Sequence, residues 1–162
     1  MTERFVFHAI GEVRSPYTDP ARTPIQPVFA KGVRGTVVLR PEYVEGLMSL
    51  DSFSHIFLFY VFHGTQEVKM RVQPFLEDRE HGVFATRAPC RPNRLGLSIV
   101  RLISVEGDVL NVEDVDILDR TPVIDIKPYV ARFDIRDDVR SGWQEKISDE
   151  VADLRGRRGF RE

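Results

Sequence analysis

The chain has 162 residues, of which 42% are hydrophobic and 30% are charged, and its formal net charge is -2. This composition is typical of a folded globular domain and excludes an intrinsically disordered or membrane-embedded chain. So small a net charge identifies no partner by itself. The single cysteine, Cys90, excludes an internal disulfide and fits a reducing compartment. Because the N-terminus lacks the basic and apolar regions of a signal peptide, we expect a cytoplasmic protein that contacts no membrane.

Strand patterns dominate the chain. Apolar segments bounded by turn residues predict at least six strands, at residues 5–13, 35–39, 54–62, 97–105, 109–112 and 121–130. The segment 54–62 has no polar alternation, which predicts a strand buried on both faces. A short loop, Glu106-Gly107-Asp108, predicts a hairpin between residues 97–105 and 109–112. This pattern favours a mainly β fold, a single small sandwich or barrel, over a parallel doubly wound sheet.

A long loop and one short helix lie between the first strands. Residues 15–31 contain four prolines and no helical period. A loop of this length inside a compact domain is usually functional, so we expect it to contribute to a site. Residues 41–47 (PEYVEGL) begin with proline and predict one short helix before the third strand.

The C-terminal part has a helical pattern. Ser141 and Gln144 match a capping box, and apolar residues follow at intervals of four, four and three, namely Trp143, Ile147, Val151 and Leu154. We therefore predict one amphipathic helix over residues 142–155, packed on the barrel or, less favoured, on a second subunit. The expected division is a barrel domain at 1–135 and a helix with a basic tail at 136–162. The tail arginines, 155, 157, 158 and 161, suit either solvent or a nucleic-acid backbone.

A rigid, positively charged loop follows residue 82. Arg87, Arg91 and Arg94 lie close together, and Pro89 and Pro92 fix the backbone between them. Guanidinium groups bind carboxylates and phosphates well, and a pre-ordered loop loses little entropy on binding. The alternative is that one or two of these arginines pair with the domain's own aspartates.

A negatively charged segment lies further along the chain. Asp114, Asp116, Asp119 and Asp125 fall within 12 residues. They suit cation binding, hydrogen bonds to sugar hydroxyls or the capping of turns, and the spacing does not match an EF-hand. Turn capping is favoured for Asp114 and Asp119. Asp125, between two isoleucines of a predicted strand, is the candidate for a positioned and paired carboxylate.

Several common sites are absent from the sequence. There is no phosphate-binding glycine loop, and the four histidines have no metal-ligand spacing, so no metal site is predicted. His63 is retained as a candidate pocket residue because it ends an apolar strand and precedes Gly64. A reactive thiol at Cys90 is not favoured, because no base is recognisable near it.

Longer motifs resemble a known family. They are residues 10–17 (IGEVRSPY), 53–55 (FSH), 82–87 (GVFATR), 91–93 (RPN), 96–98 (GLS), 121–123 (TPV) and 125–129 (DIKPY). In this order they resemble the TsaA-like family, the TrmO-type tRNA methyltransferases, over about residues 5–134. The resemblance implies a small β-barrel that forms a homodimer and binds S-adenosylmethionine without a Rossmann fold. It implies methylation at N6 of threonylcarbamoyladenosine, beside the tRNA anticodon.

The resemblance also implies site residues. Those expected to bind the cofactor are Gln26, Pro27, Val28, His63, Gly64, Arg87, Leu97, Asp116, Leu118, Asp119 and Thr121. Those expected to contact the tRNA substrate are Arg91, Asn93, Lys127 and Tyr129. A general base for the N6 proton is expected at Asp125 or Asp116.

Three residues depart from the family pattern. Ile25 replaces an arginine of a P-R-Q stretch, Arg94 replaces the last proline of R-P-N-P, and Arg120 replaces the glycine of D-G-T-P. Some relatives also carry a further C-terminal domain. Because an acceptor can change while a fold is retained, two alternatives stay open: a non-catalytic nucleotide- or RNA-binding barrel, and a methyltransferase acting on a small molecule. The net charge of -2 favours these alternatives modestly.

Overall fold

Eight strands are present in the computed structural model, which describes residues 3–159. They are β1 (Gly11–Arg14), β2 (Arg34–Leu39), β3 (His55–Val61), β4 (Arg71–Val72), β5 (His81–Gly82), β6 (Leu95–Glu106), β7 (Val109–Glu113) and β8 (Pro122–Pro128). Six of them close an antiparallel barrel in the order β1-β2-β7-β6-β3-β8, and β4 pairs with β5 outside it. The predicted barrel is therefore confirmed.

Helices are short and lie between or after the strands. The α-helices are α1 (Ala131–Asp134) and α2 (Asp149–Gly156). The 3₁₀ helices are Pro20–Arg22, Pro27–Phe29, Pro41–Leu47, Leu50–Ser52, Val83–Ala85 and Gly142–Lys146. The helix expected at residues 41–47 is thus present as a 3₁₀ helix. No helix among residues 3–159 is long and apolar enough to cross a membrane.

The barrel core is formed by alternate residues of each strand. Ile56, Leu58 and Tyr60 of β3 point inward and are buried, and most of the inward positions of β1, β2, β6 and β7 are aliphatic. The expectation that residues 54–62 are buried on both faces was wrong. Phe57 and Phe59, on the outer face of β3, are only partly buried, because within the described chain no second layer fully covers this part of the barrel wall.

The first strand is shorter than its apolar and polar alternation predicted. Residues 5–13 were expected to pair, but β1 begins only at Gly11. Gly11 pairs with Leu39, the last residue of β2, so the residues before it pass the end of the neighbouring strand. Phe5, Val6 and Phe7 are consequently 66–71% exposed. The hairpin between β6 and β7 is confirmed, with Gly107 at a φ of 64°.

The single helix predicted over residues 142–155 was wrong. The chain forms a 3₁₀ turn over Gly142–Lys146, becomes extended at Ile147 and begins α2 at Asp149. The Ser141 side chain caps nothing, whereas the Ser148 hydroxyl accepts a hydrogen bond from the Val151 amide at 3.4 Å. Ser148 followed by two acidic residues is therefore the effective N-terminal signal.

Two arginines that depart from the family pattern lie in the left-handed backbone region. Arg120 has a φ of 61° and Arg94 a φ of 50°. The family's glycine at the position of Arg120 suits this geometry. The family's proline at the position of Arg94 does not, because its ring fixes φ near −65°, so the backbone of this turn must differ from that of such relatives.

We expect Arg120→Gly to stabilise the protein. The left-handed conformation costs a residue with a Cβ about 1–2 kcal/mol, and glycine loses about 0.5–1 kcal/mol more entropy on folding. The difference predicts a gain of roughly 0.5–1 kcal/mol in the free energy of unfolding, measured by urea denaturation. The control is Arg40→Gly, where φ is -71° and glycine is expected to destabilise. A loss of stability in Arg120→Gly equal to that of the control would contradict this explanation.

Candidate functional site

A chain of buried polar groups lies inside the barrel. The Tyr60 hydroxyl of β3 lies 3.0 Å from Ser98 Oγ of β6, and Ser98 Oγ donates to Asp116 Oδ1 at 2.6 Å. All three residues are buried, with Asp116 only 6% exposed. Asp116 follows β7 in the segment 114–121, which connects to β8. The Asp116 carboxylate thus lies in the barrel interior, where most side chains other than those of this polar chain are apolar.

Burial changes the acidity of these groups. Removal from water raises the pKa of Asp116 to about 7, although the hydrogen bond from Ser98 and the positive charge of Arg87 oppose the shift. Burial likewise raises the pKa of the Tyr60 hydroxyl, so it stays protonated. Asp116 therefore changes charge near neutral pH, which is the property required of a group that accepts a proton there.

Arg87 brings a positive charge to the same region. It follows the 3₁₀ helix Val83–Ala85, and its Nη1 donates to the side-chain Oε1 of Gln26, in the long loop 15–31. Its charge lowers the pKa of both Asp116 and Tyr60, so it acts on the buried polar chain. Gln26 is a neutral partner, which leaves the guanidinium charge available to an anion.

A second group of residues adjoins Asp116 through the segment 114–121. The Thr121 hydroxyl donates to the Leu118 carbonyl at 2.7 Å and lies 3.3 Å from His63 Nδ1. Gly64, which follows His63, packs against the same segment: a Cβ at this glycine would lie 3.7 Å from the Leu118 side chain. The long loop, the end of β3, the Arg87 loop and the segment before β8 therefore meet at one mouth of the barrel.

Comparison with known families assigns the chain. The sequence model of the tRNA-methyltransferase O N-terminal domain matches residues 12–135, which is most of the chain. This chain belongs to the tRNA-methyltransferase O family. The family predicted from the motifs is confirmed.

Known relatives agree with the family assignment. A probable S-adenosyl-L-methionine-binding protein of Pyrococcus abyssi is 50% identical over 86% of this chain and 76% of its own length. The tRNA (adenine(37)-N6)-methyltransferase of Mus musculus is 40% identical over 77% of this chain but only 31% of its own length. The crystal structure of TrmO from Pseudomonas aeruginosa is 38% identical, with a TM-score of 0.73 over 87% of this chain and 63% of that one. Several relatives are thus considerably longer than the part that this chain matches.

The structure brings most of the residues expected from the TrmO family to this mouth. Those that meet there, directly or through neighbours, are Gln26, His63, Gly64, Arg87, Asp116, Leu118 and Thr121. Pro27 and Val28 begin the 3₁₀ helix next to Gln26, and the Val28 side chain is exposed. Leu97 does not point to the mouth, because it lies on the outer face of β6 beside Phe59.

Asp119 and Asp114 accept hydrogen bonds from backbone amides. Asp119 Oδ1 accepts from the Ser15 amide at 3.1 Å, and Asp114 Oδ1 accepts from the Gly32 amide at 2.8 Å. The bonded residues are 104 and 82 positions apart, so each aspartate joins distant segments and does not cap a turn of its own. The carboxylate expected at the cofactor from Asp119 is therefore already used to fix the start of the long loop.

The donor set at the mouth of this TrmO-family barrel fits S-adenosylmethionine. That molecule carries a carboxylate, an amine, a ribose diol, an adenine and a sulfonium. Arg87 offers a cation for the carboxylate, while Gln26, His63 and Thr121 offer hydrogen-bonding groups suited to hydroxyls and the adenine edge. Asp116 is a buried carboxylate whose charge no cation within salt-bridge distance neutralises among residues 3–159.

The second candidate base and two RNA candidates lie elsewhere. Asp125 is on the outer face of β8, where its Oδ2 forms a salt bridge with Lys127 Nζ at 2.8 Å. The Tyr129 ring packs against Phe57 with centroids 5.6 Å apart. Asp125 pairs across the strands with Phe59, which points outward, whereas Ser98 and Asp116 lie inside. The two carboxylates expected as alternative bases are thus separated by the barrel wall.

The other two arginines of the charged loop donate to backbone carbonyls. Arg91 Nη1 donates to the Thr86 and Ala88 carbonyls at 3.0 and 3.3 Å, and Arg94 Nη1 donates to the Thr65 carbonyl at 3.1 Å. Pairing with the domain's aspartates, the alternative considered for these arginines, does not occur for Arg91 or Arg94 among residues 3–159. The acceptors are carbonyls before the turn over residues 91–94, at Thr86 and Ala88 for Arg91 and at Thr65 for Arg94. Asn93 is exposed at the tip of this turn.

Two residues of the buried polar chain were missed by the sequence reasoning. Tyr60 is hidden in an uninterrupted apolar run, and Ser98 lies in a strand with apolar residues on both faces. The available signal was the GLS motif. Its Gly96 lies against the Tyr60 ring, where a Cβ would approach to 2.1 Å, so the glycine makes room for the tyrosine that contacts Ser98. No group of residues able to hold a metal ion occurs in the described part of the chain.

Proposed function

We propose that this protein transfers a methyl group from S-adenosylmethionine to N6 of a modified adenosine beside the tRNA anticodon. The observation that carries the proposal is the buried carboxylate of Asp116, next to the charge of Arg87, in a chain of the tRNA-methyltransferase O family. Two relatives support the substrate pair. One is named a probable S-adenosyl-L-methionine-binding protein, and the other is named a tRNA (adenine(37)-N6)-methyltransferase.

The chain's own residues supply positioning and a proton acceptor. When bound, S-adenosylmethionine supplies the methyl group from its sulfonium and leaves as a thioether. Arg87, Gln26, His63 and Thr121 would hold the donor at the barrel mouth. The acceptor nitrogen forms a bond to the methyl carbon and loses its proton, and most of the rate comes from holding the two reacting atoms in line.

Asp116 is the better candidate for the proton acceptor. Its pKa of about 7 means that a large fraction is ionised at neutral pH and can take a proton, directly or through water. The Ser98 hydroxyl and the Asp116 backbone both hydrogen-bond the carboxylate, which fixes its orientation. Asp125 lies on the outside of the barrel in a salt bridge with Lys127, and it does not adjoin the Arg87 group.

RNA contacts are proposed for four exposed or half-exposed residues. Arg91 and Asn93 lie on the turn that follows Arg87, near the mouth. Lys127 and Tyr129 lie at the far end of β8, where the tyrosine ring gives a platform for an unstacked base and the lysine a charge for phosphate. Together they would position the anticodon loop by contacts of positive side chains with RNA phosphates and by stacking on a base.

Transfer of labelled methyl from S-adenosylmethionine to bulk tRNA, compared with a small-molecule extract, tests the proposal. We expect label in tRNA, at a purine next to the anticodon after nuclease digestion. Label only in the small-molecule fraction would support the alternative methyltransferase, and cofactor-independent RNA binding without transfer would support the non-catalytic barrel. Either result would contradict the proposed substrate.

A homodimer is proposed through the outer face of β3 and β6. Phe57 pairs with Ile99 and Phe59 with Leu97 across these strands, all pointing outward. Leu97 and Ile99 are 38% and 40% exposed. A contiguous apolar patch on a barrel exterior is typical of an interface, and a second copy of the chain would present the same patch.

Ile99→Glu tests the dimer. A charge at the centre of the apolar patch would be buried without a partner, so we expect a monomer where the unaltered protein sediments as a dimer. The matched control is Leu154→Glu, where the leucine is 78% exposed and lies on α2, outside the barrel strands. A monomeric unaltered protein, or a dimer unaffected by Ile99→Glu, would contradict this interface.

A further inference from the structure

We propose that Trp143 and Gly156 are positioning residues that hold Gln26 and Arg87 in place for cofactor binding. This inference rests on the proposed function, because it concerns the same donor site. The two residues belong to the segment 136–159, which folds back across the two loops that carry Gln26 and Arg87. No part of this segment lies in the barrel itself.

Trp143 fixes the loop that carries Arg87. Its indole stacks on the His81 ring of β5, with centroids 4.7 Å apart and planes 18° from parallel. Its Nε1 donates to the Ala85 carbonyl at 2.8 Å. Ala85 ends the 3₁₀ helix Val83–Ala85, two residues before Arg87. One side chain therefore contacts both β5, which precedes this turn, and the last residue of its 3₁₀ helix.

Gly156 fixes the loop that carries Gln26. Its carbonyl accepts from the Ile25 amide at 3.0 Å, one residue before Gln26. A Cβ on Gly156 would lie 2.5 Å from the Phe29 ring, so only glycine permits this contact without movement of the loop. Ile25 is one of the positions at which the chain departs from the P-R-Q pattern of many relatives. Here the backbone of that position is tied to the C-terminal segment.

Arginines of the C-terminal segment reinforce both attachments. Arg155 Nη1 forms a salt bridge with Asp78 Oδ1 at 3.0 Å. Arg158 donates to the Pro20 carbonyl at 2.7 Å and lies 4.0 Å from the centre of the Phe75 ring. These arginines were considered for solvent or RNA. In the structure Arg155 connects the segment to the residues between β4 and β5, and Arg158 connects it to the long loop. Arg161 lies outside the described residues.

The two loops meet at the hydrogen bond from Arg87 to Gln26. Because each loop is long and lies outside the barrel ladder, each would otherwise sample many conformations, and a ligand would pay the entropy of ordering them. Attachment by Trp143 and Gly156 removes part of that cost before the ligand arrives. Loss of either attachment should therefore weaken binding even though neither residue touches the ligand.

Calorimetric titration with S-adenosylmethionine tests this role. We expect Trp143→Ala and Gly156→Ala each to raise the Kd about tenfold, as loss of roughly 1.4 kcal/mol of preorganisation would do. Trp143→Phe, which keeps ring stacking but not the bond to Ala85, should recover part of the affinity. The controls are Leu154→Ala on the same helix and Gly46→Ala, where a Cβ meets nothing within 4 Å; both should stay within about twofold of the unaltered protein.

A spectroscopic readout needs no variant that risks misfolding. Trp143 is the only tryptophan in the chain, so its fluorescence reports its own stacking. Because the indole is already stacked on His81 before the ligand arrives, we expect its emission maximum to stay unchanged at saturating S-adenosylmethionine. A shift of the emission maximum on binding, or folded Trp143→Ala and Gly156→Ala variants with unaltered affinity, would overturn the positioning role alone. Absence of binding by the unaltered protein would overturn the proposed function and this role with it.

Discussion

Replacement of Arg87 by alanine is expected to weaken S-adenosylmethionine binding by about 10- to 100-fold. The guanidinium is held by Gln26 at the barrel mouth, and a hydrogen bond to a charged partner contributes about 1.5–3 kcal/mol. Calorimetric titration of the variant gives the Kd directly. Higher salt should weaken binding by the unaltered protein more than by the variant, because the variant has lost the charge.

The matched control for Arg87→Ala is Arg79→Ala. Arg79 is an exposed arginine between β4 and β5, outside the barrel. Its removal changes the net charge of the protein by the same amount as the removal of Arg87. We expect the control to bind S-adenosylmethionine with unaltered affinity. Equal loss in both variants would show that the effect comes from overall charge, and no loss in Arg87→Ala would contradict the proposed place of the ligand carboxylate.

Replacement of Asp116 by asparagine is expected to reduce methyl transfer by about 100-fold or more, the usual contribution of a general base. Asparagine keeps the shape and can still accept the Ser98 hydrogen bond. In the unaltered protein the rate should rise with pH and level off above about 7, as Asp116 ionises. The rate of the variant should lack this rise. A variant with the full rate and the same pH profile would show that Asp116 accepts no proton.

The same substitution should change the pH dependence of stability. Burial raises the pKa of Asp116 from 3.8 to about 7, so between these values the folded state binds more protons than the unfolded state. Stability therefore falls as pH rises through this range, by at most on the order of 4 kcal/mol. Urea denaturation at about pH 5 and pH 8 should show that Asp116→Asn gains stability relative to the unaltered protein as pH rises. Parallel profiles would contradict the burial of an ionisable Asp116.

The β-barrel was predictable because its strands carry strong local signals. The hairpin around Gly107 and the strand that ends in the DIKPY motif follow from turn residues and β-branched runs. The extent of β1 was not predictable, since it depends on where β2 ends opposite Gly11. Likewise, the stacking of Trp143 on His81, which is distant in sequence, was not predictable from the helical spacing of Trp143, Ile147, Val151 and Leu154. Periodicity alone describes neither contact.

The residues of the candidate site were predictable mainly through the family resemblance. GVFATR and the segment before β8 name Arg87, Asp116 and Thr121 as expected cofactor residues, and the charge of Arg87 acts on Asp116 in the structure. Spacing could not distinguish Asp116 from Asp125, because the separation of their side chains depends on which face of the barrel wall each occupies. Tyr60 and Ser98 were missed for the same reason: in a strand with apolar residues on both sides, the alternation does not reveal the inside.

A defined acceptor tests the central claim most directly. The substrate is an anticodon stem-loop carrying threonylcarbamoyladenosine, incubated with the protein and S-adenosylmethionine and examined by mass spectrometry of the digested nucleosides. We predict one added methyl group at N6 of that nucleoside, with none in an unmodified stem-loop and little in Asp116→Asn. No methyl transfer to the modified stem-loop or to intact modified tRNA, by protein that binds S-adenosylmethionine, would contradict the account.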